Sequence, residues 1–296
     1  MSEKKKKHWG DRRDGRWVKE APGLQKCMVH LYPNRTENEC YLHDNIDCTE
    51  LLKYIAKKNE EHSNYKTTIF HCFVTALTKM CMERPKMNYF IQGHRTYERN
   101  EISLSFVCMR RFKDDAKEAL LTLRPSPEET LDEISHKIYG DITETRKSEH
   151  ATGGVDAELE WFGKVPRVLL MLFIRIVRWL DFWGKCPYAL IKDDPSFSSI
   201  MISNLGSIGT PAVYHHLNNY GTTSLLVVIG KIHKEQVVMD DGSIEIRDMV
   251  DVGATLDERI ADGFYFARSL KLVKYMFANP ELFDLPLSEP SGFDYK

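Results

Sequence analysis

The sequence predicts an α/β fold with strands towards both ends of the chain and helices between them. Apolar residues recur every three or four positions in residues 45–61 and 67–82, which is typical of amphipathic helices. Residues 101–110 instead alternate, as in a half-buried strand, and residues 118–123 are its expected antiparallel partner. The last third of the chain holds several further apolar strands.

Turn and capping residues set the bounds of these elements. Asp47 and Glu50 have the spacing of a capping box, and the second helix must end before Pro85. Ser126 with Pro127 after it predicts the start of a third helix. Predicted strands occupy residues 198–204, 222–232 and 249–256, with a hairpin around 240–242, a loop at 151–156 and a closing helix at about 263–277.

Composition limits the classes of partner and compartment. The 296 residues include 41 basic and 43 acidic ones, so no strong positive field points to nucleic acid. Seven cysteines form no C-x-x-C pair, and no apolar signal segment follows the basic start, so we expect a cytoplasmic protein without disulfides and predict no metal site. We expect a basic, partly disordered tail at 1–24, a single domain at 25–285 and a C-terminal tail at 286–296.

Residues 166–183 form the most apolar stretch of the chain. Three arginines interrupt it, so it is too short for a membrane span. It is expected to be a helix packed on the body or on a neighbouring subunit. The alternative is a helix that lies weakly on a membrane surface, where Trp, Phe and Leu beside arginines are favourable.

Four separated segments resemble one family, the dihydrolipoyl acyltransferase catalytic domains of 2-oxo acid dehydrogenases. These are residues 84–88 with 97–102, the strand and turn Ile202-Ser203-Asn204-Leu205-Gly206-Ser207-Ile208-Gly209, the strand Val227-Val228-Ile229-Gly230, and Asp257-Glu258-Arg259-Ile260-Ala261-Asp262-Gly263. The last segment resembles the D-H-x-x-x-D-G signature, which chloramphenicol acetyltransferase shares in a closely similar form.

The resemblance implies a chloramphenicol acetyltransferase-like two-layer sandwich, with a mixed sheet flanked by helices. It also implies a homotrimer whose active sites lie between subunits and are reached by a channel for CoA or acyl-CoA as co-substrate. No residues that bind CoA are predicted, because this channel is built from dispersed contacts. A lipoyl domain is not expected ahead of the fold, which argues against a core role in a dehydrogenase complex.

The resemblance assigns roles to three residues. Ser203 matches the serine that stabilises the oxyanion, and Asp262 matches a structural aspartate that typically pairs with an arginine. Glu258 stands where the family has its catalytic histidine. The expected base is therefore changed while the rest of the motif is kept.

Proton transfer to a glutamate is harder than to a histidine. From a thiol of pKa about 8.5, transfer to histidine is uphill by about 2.7 kcal/mol and to an ordinary glutamate by roughly 5.7 kcal/mol. Burial raises a carboxylate pKa by about 3–5 units, enough to offset the difference. Glu258 is thus a competent base only in a dry site. Arg259 is expected on the opposite face of the strand, where it would not oppose this shift.

His215 and His216 offer another base. They lie between the strand of Ser203 and the next predicted strand, where either one could face the channel and pair with Glu258, or be a surface residue. Two functions follow. The first is a CoA-dependent acyltransferase acting on a small-molecule or carrier acceptor. The alternative is an inactive trimer of the same fold that binds a metabolite or acts as an interaction scaffold.

Overall fold

The computed structural model describes residues 8–61, 65–109, 118–147 and 164–295, so the loop predicted at 151–156 lies outside it. The strands are β1 (Gly15–Trp17), β2 (Glu39–Asp47), β3 (Tyr89–Gln92), β4 (Arg95–Arg99), β5 (Leu104–Met109), β6 (Glu118–Leu123), β7 (Ile200–Asn204), β8 (Leu225–Val238) and β9 (Ile244–Asp257). The helices are α1 (Gly23–Leu31), α2 (Thr49–Glu61), α3 (Ile69–Glu83), α4 (Leu131–Lys147), α5 (Arg167–Phe182), α6 (Tyr188–Ile191) and α7 (Gly263–Ala278).

A six-stranded mixed sheet in the order β2-β9-β8-β7-β5-β6 organises the molecule. Strand β7 is parallel to both neighbours, β5 and β8, and the other pairings are antiparallel. Strands β8 and β9 continue past the sheet as a hairpin that turns at Gly242, whose φ of 83° is easily adopted only by glycine. The mixed sheet and the hairpin are as predicted.

Helices α2, α3, α4 and α7 cover one face of this sheet and enclose the main core. Leu51, Phe73, Ile134 and Leu272 come from these four helices, and each is at most 1% exposed. They pack with sheet residues such as Ile202 in one continuous apolar cluster. This arrangement confirms the predicted two-layer α/β fold.

The opposite face of the sheet is partly covered by the segment of residues 205–219. Leu217 is buried there against Leu226 and Val228. The segment crosses β8 so closely that a Cβ at Gly230 would lie 2.4 Å from the Ala212 nitrogen. A glycine is therefore required at this crossing.

Both predicted tails are wrong where the structure describes them. Strand β1 joins β4 and β3 in a second, three-stranded sheet. Arg12, 4% exposed, forms ion pairs with Asp14 at 2.8 Å and Asp181 at 2.6 Å. At the other end Leu287 is 1% exposed, and Glu83 accepts hydrogen bonds from the Ser291 backbone and hydroxyl at 2.8 Å. These buried contacts were not predicted, because the sequence at both ends of the chain is polar on average.

Helix α4 begins later than predicted. Residues 126–129 form a turn, because the backbone carbonyls of Pro127 and Glu129 accept hydrogen bonds from the C-terminal segment at 2.8 and 2.9 Å. The Thr130 amide donates to the Glu133 carboxylate at 2.9 Å instead, and the helix starts at the next residue. The predicted cap at Ser126 is therefore replaced by one at Thr130.

Candidate active site

The loop after β9 is fixed by a buried ion pair. Asp257 is 0% exposed and Arg259 is 1% exposed. The Arg259 Nε and Nη2 atoms donate to the two Asp257 carboxylate oxygens at 2.8 and 2.6 Å. The strand ends at Asp257, so Arg259 folds back from a turn rather than pointing to the opposite strand face, and our prediction for it is wrong. Such a two-point pair holds the backbone of Glu258 between its partners.

Arg35 joins this pair from a distant part of the chain. Its Nε lies 3.8 Å from Asp257 Oδ2, and its two terminal nitrogens donate to the carbonyls of Asn218 and Ile91 at 2.9 Å. Burial lowers the pKa of Arg35 to about 10. Two guanidinium groups thus face the Asp257 carboxylate, and the Asp181 carboxylate also acts on Arg35.

Glu258 presents its side chain at the surface of the subunit. Its amide donates to the Asn38 carbonyl at 2.9 Å, while the side chain is exposed. The predicted desolvation is therefore absent within one chain. A water-excluding environment for Glu258 would have to come from another copy or from a bound substrate.

Asp262 begins α7 rather than forming a buried ion pair. Its Oδ1 accepts the Tyr265 amide at 2.8 Å, and the residue is exposed. Among the described residues of one chain it makes no ion pair, so the arginine partner that the resemblance implies is not found there. The structural pair of this motif is Asp257 with Arg259, because only Asp257 lies inside the sheet where an unpaired charge would be costly.

Ser203 lies on the sheet face opposite the helices. Ile202 before it is buried in the core, whereas Ser203 is half-buried on the side that the segment 205–219 partly covers. Strand alternation explains this, since neighbouring side chains on β7 point to opposite faces.

The strand register separates Ser203 from Glu258 of the same chain. Ser203 pairs with Val228, and Val228 pairs with Gly253, which is five residues before Glu258. At about 3.3 Å per residue, the two lie roughly 17 Å apart along the strands, far beyond hydrogen-bond reach. One chain therefore cannot bring these two predicted site residues together.

The structure places His215 and His216 at the same end of the sheet as Glu258. The next residue, Leu217, donates its amide to the Glu39 carboxylate at 2.5 Å, and Glu39 lies opposite Asp257 in the β2–β9 ladder. The two rings stack with centroids 4.8 Å apart, and both histidines are exposed. Within the described part of the chain neither pairs with Glu258, so the predicted pairing is not made in a single subunit.

Three cysteines and His71, which could in principle act as nucleophiles or as a base, are buried packing residues. Burial raises the pKa of the Cys81 thiol to about 12, and Cys72 and Cys108 are also buried. His71 is 6% exposed, and its Nδ1 accepts the Thr68 amide at 2.9 Å at the start of α3. Burial lowers the pKa of His71 to about 4, which keeps it neutral.

A cavity of about 200 Å³ adjoins Arg35 and the end of α5. Asp181 on its wall already binds Arg12 and Gln92, and His94 Nδ1 lies 2.7 Å from the Val29 carbonyl. The hydrogen-bonding atoms of Asp181 and His94 are therefore engaged within the fold rather than free for a ligand.

Sequence comparison confirms the predicted resemblance. Residues 189–285 match the family model of the 2-oxoacid dehydrogenase acyltransferase catalytic domain. The chain is 24% identical over 265 residues to the lipoamide acyltransferase component of the branched-chain alpha-keto acid dehydrogenase complex of Bacillus subtilis. This match covers 86% of the chain but only 51% of that relative, so the chain spans about half of its length.

Structural comparison confirms the fold. A probable dihydrolipoamide acetyltransferase from Listeria monocytogenes superposes with a TM-score of 0.58 at 16% identity, covering 93% of this chain and 97% of that one. The cubic core of the pyruvate dehydrogenase multienzyme complex gives 0.60 at 14% identity, with 90% and 93% covered. A chloramphenicol acetyltransferase gives 0.53 at 12% identity, with 88% and 98% covered.

Proposed function

We propose that the protein is a CoA-dependent acyltransferase that moves an acyl group between a thioester and a small-molecule or carrier acceptor. The observation that carries the proposal is the fixed conformation of the loop that contains Glu258. By the motif resemblance, Glu258 stands where the family has its catalytic histidine, and its backbone is fixed by the buried Asp257–Arg259 pair and by the hydrogen bond to Asn38. The matched family model and the shared fold support the same reaction class.

In the proposed reaction, Glu258 takes the proton from the thiol or hydroxyl of the acceptor. The freed sulfur or oxygen attacks the thioester carbonyl of acyl-CoA and forms a tetrahedral oxyanion. The Ser203 hydroxyl donates a hydrogen bond to this oxyanion, a contribution worth about 2.7–4 kcal/mol where such a donor has been removed. Collapse of the tetrahedral intermediate breaks the bond between the carbonyl carbon and the CoA sulfur, and the CoA thiolate takes up the proton from Glu258.

The same proposal includes a homotrimer. Ser203 and Glu258 are roughly 17 Å apart along the strands of one chain, so a complete site needs Ser203 of one copy and Glu258 of the next. Closure of this interface over the exposed Glu258 would also supply the dry environment that a carboxylate base requires. His215 and His216 stand at the same end of the sheet and are the alternative base.

The test is acyl transfer from acetyl-CoA to a thiol acceptor such as dihydrolipoamide, followed by release of free CoA. The Glu258→Gln variant should lose turnover while calorimetry still detects CoA binding. Ser203→Ala should lower kcat by about 10²–10³. Glu128→Gln, which changes another exposed glutamate, is the control and should behave as wild type. Greater loss in His216→Ala or His215→Ala would move the base to that histidine.

The exposure of Glu258 favours a second function, an inactive trimer that binds a metabolite or a partner. In that case wild type would transfer no acyl group from any acyl-CoA tried. The Glu258→His variant would then create activity where there was none. Measurable turnover by wild type that Glu258→Gln removes would exclude this alternative.

A further inference from the structure

Within the described residues, the buried side chains of helix α5 belong to its second half. Val177 and Asp181 are 6% and 3% exposed, and Val177 packs with Ile191 and Phe197 in a small cluster apart from the main core. The Asp181 carboxylate is held by Arg12 at 2.6 Å. These contacts fix the direction of the helix and leave its outer side without a partner in the described chain.

The outer side of α5 is a continuous apolar stripe. At about 3.6 residues per turn, Val168, Leu172, Ile176, Trp179 and Trp183 lie on the side away from Val177. Their exposed fractions are 74%, 55%, 48%, 60% and 60%. Leu169, which is 57% exposed, widens the stripe. Single exposed apolar residues are ordinary, but a contiguous stripe of large ones indicates an interaction surface.

Cations line one edge of this stripe. The same helical spacing places Arg167, Arg175 and Arg178 side by side along it, and all three are exposed. The single acidic residue of the helix, Asp181, is buried and paired with Arg12. The exposed side of α5 therefore combines a purely positive edge with tryptophans and aliphatic residues.

We propose that α5 lies in the surface of an anionic membrane. The apolar stripe would enter the boundary between headgroups and acyl chains, and the arginines would bind lipid phosphates, for which the planar guanidinium is well suited. None of the helices in the described residues is long and apolar enough to cross a bilayer. The positive edge argues for anionic lipid over another copy of this chain, whose net charge is only −2. This inference does not depend on acyl transfer.

Vesicle flotation of the full chain tests the proposal. Wild type should float with vesicles of phosphatidylcholine and phosphatidylserine at 3:1, and at least tenfold less with phosphatidylcholine alone. Leu169→Ser with Leu172→Ser should weaken binding at least tenfold. Arg175→Gln with Arg178→Gln should remove the preference for anionic lipid. Leu24→Ser, which changes a 75% exposed leucine on α1, is the matched control and should bind as wild type.

Circular dichroism and thermal unfolding establish that each variant is folded. Failure of wild type to float with anionic vesicles would overturn the proposal, and so would flotation that the α5 variants leave unchanged. Sedimentation provides the remaining test. If Leu169→Ser with Leu172→Ser dissociates the oligomer instead, α5 is an interface between copies and the membrane role is wrong.

Discussion

Asp257 and Asp262 are five positions apart, and burial gives them different roles. Asp257 is inside the protein between two arginines, so Asp257→Ala leaves Arg259 and Arg35 without their anion and should cost about 3–5 kcal/mol of unfolding free energy. Asp262 is an exposed helix cap, and Asp262→Ala should cost only about 0.5–2 kcal/mol. Urea denaturation measures both values. Equal losses would show that the burial of Asp257 does not set its contribution.

His71 should make stability depend on pH. Its pKa is about 4 in the folded protein and about 6.5 in the unfolded chain, because burial disfavours the charged ring. The stabilisation is complete above pH 6.5 and is lost as the pH falls to 4, where the unfolded chain binds the extra proton. The loss is about 3 kcal/mol.

The His71→Gln variant isolates this effect from other acid-sensitive groups. Between pH 7 and pH 4, wild type should lose about 3 kcal/mol more unfolding free energy than His71→Gln does. His136→Gln, which changes an exposed histidine on α4, should follow wild type. If the unfolding free energies of wild type and His71→Gln change by the same amount between pH 7 and pH 4, the loss of stability is not due to His71.

Motif spacing singled out Ser203, Glu258 and Asp262, which the structure places on β7, in the turn after β9 and at the start of α7. Their partners were not predictable in the same way. Arg35 reaches Asp257 only because tertiary structure brings α1's exit loop to the end of β9, and no local pattern records that approach. The D-x-R spacing of Asp257 and Arg259 was a local signal, but Arg259 was predicted on the opposite face of the strand rather than in a turn paired with Asp257.

At the scale of elements, the crossing of β8 by the segment 205–219 has a single-residue test. Gly230→Ala places a Cβ 2.4 Å from the Ala212 nitrogen, so the segment must move and stability should fall by about 1–3 kcal/mol. Gly140→Ala in α4 is the matched control, since no atom lies within 4 Å of its new Cβ. That change should stabilise by about 0.5–1 kcal/mol.

Chemical denaturation of the two variants decides the point. We expect Gly230→Ala to lower stability and Gly140→Ala to raise it, because only the Cβ added at Gly230 would collide with backbone atoms. If Gly230→Ala leaves the unfolding free energy unchanged, the segment 205–219 is free to leave the sheet. The positions of His215 and His216 would then not be fixed by this crossing.

Helix and strand positions in the core followed from periodicity, because apolar spacing is what burial against the sheet requires. The first and last residues of the helices and strands did not follow from periodicity. Strands β8 and β9 each run for 14 residues and extend the predicted strands 222–232 and 249–256 towards the hairpin, since their outer parts pair with each other and need no apolar face. The start of α4 shifted because the C-terminal segment binds the carbonyls before it.

At the scale of the whole molecule, the single fold extends into both expected tails. Arg12 lies in a basic stretch, and its burial depends on Asp181 from α5, a partner far away in sequence. Composition describes the average surroundings of a segment, not the one side chain that it binds. For the same reason sequence patterns predicted α5 as a helix but left open what covers it.

A trimer of this chain, at 34.4 kDa per copy, should have a mass of about 103 kDa in solution. Light scattering at micromolar concentration measures it. A stable monomer would remove both the trimer and the site proposed between copies.

Mixing two impaired variants gives the sharpest test of that site. As pure trimers, Glu258→Gln should be inactive and Ser203→Ala should keep at most about 1% of wild-type activity, since every interface lacks one of the two groups. In a random mixture at 1:1, an interface is intact when a Ser203→Ala subunit supplies Glu258 and a Glu258→Gln subunit supplies Ser203, which gives about a quarter of wild-type activity. The subunits are mixed after dissociation in denaturant and refolding, and each variant refolded alone is the control. Recovery is expected only if the two residues act across an interface, because within one chain they are too far apart to share a substrate. A mixture no more active than its parents would place the reaction elsewhere.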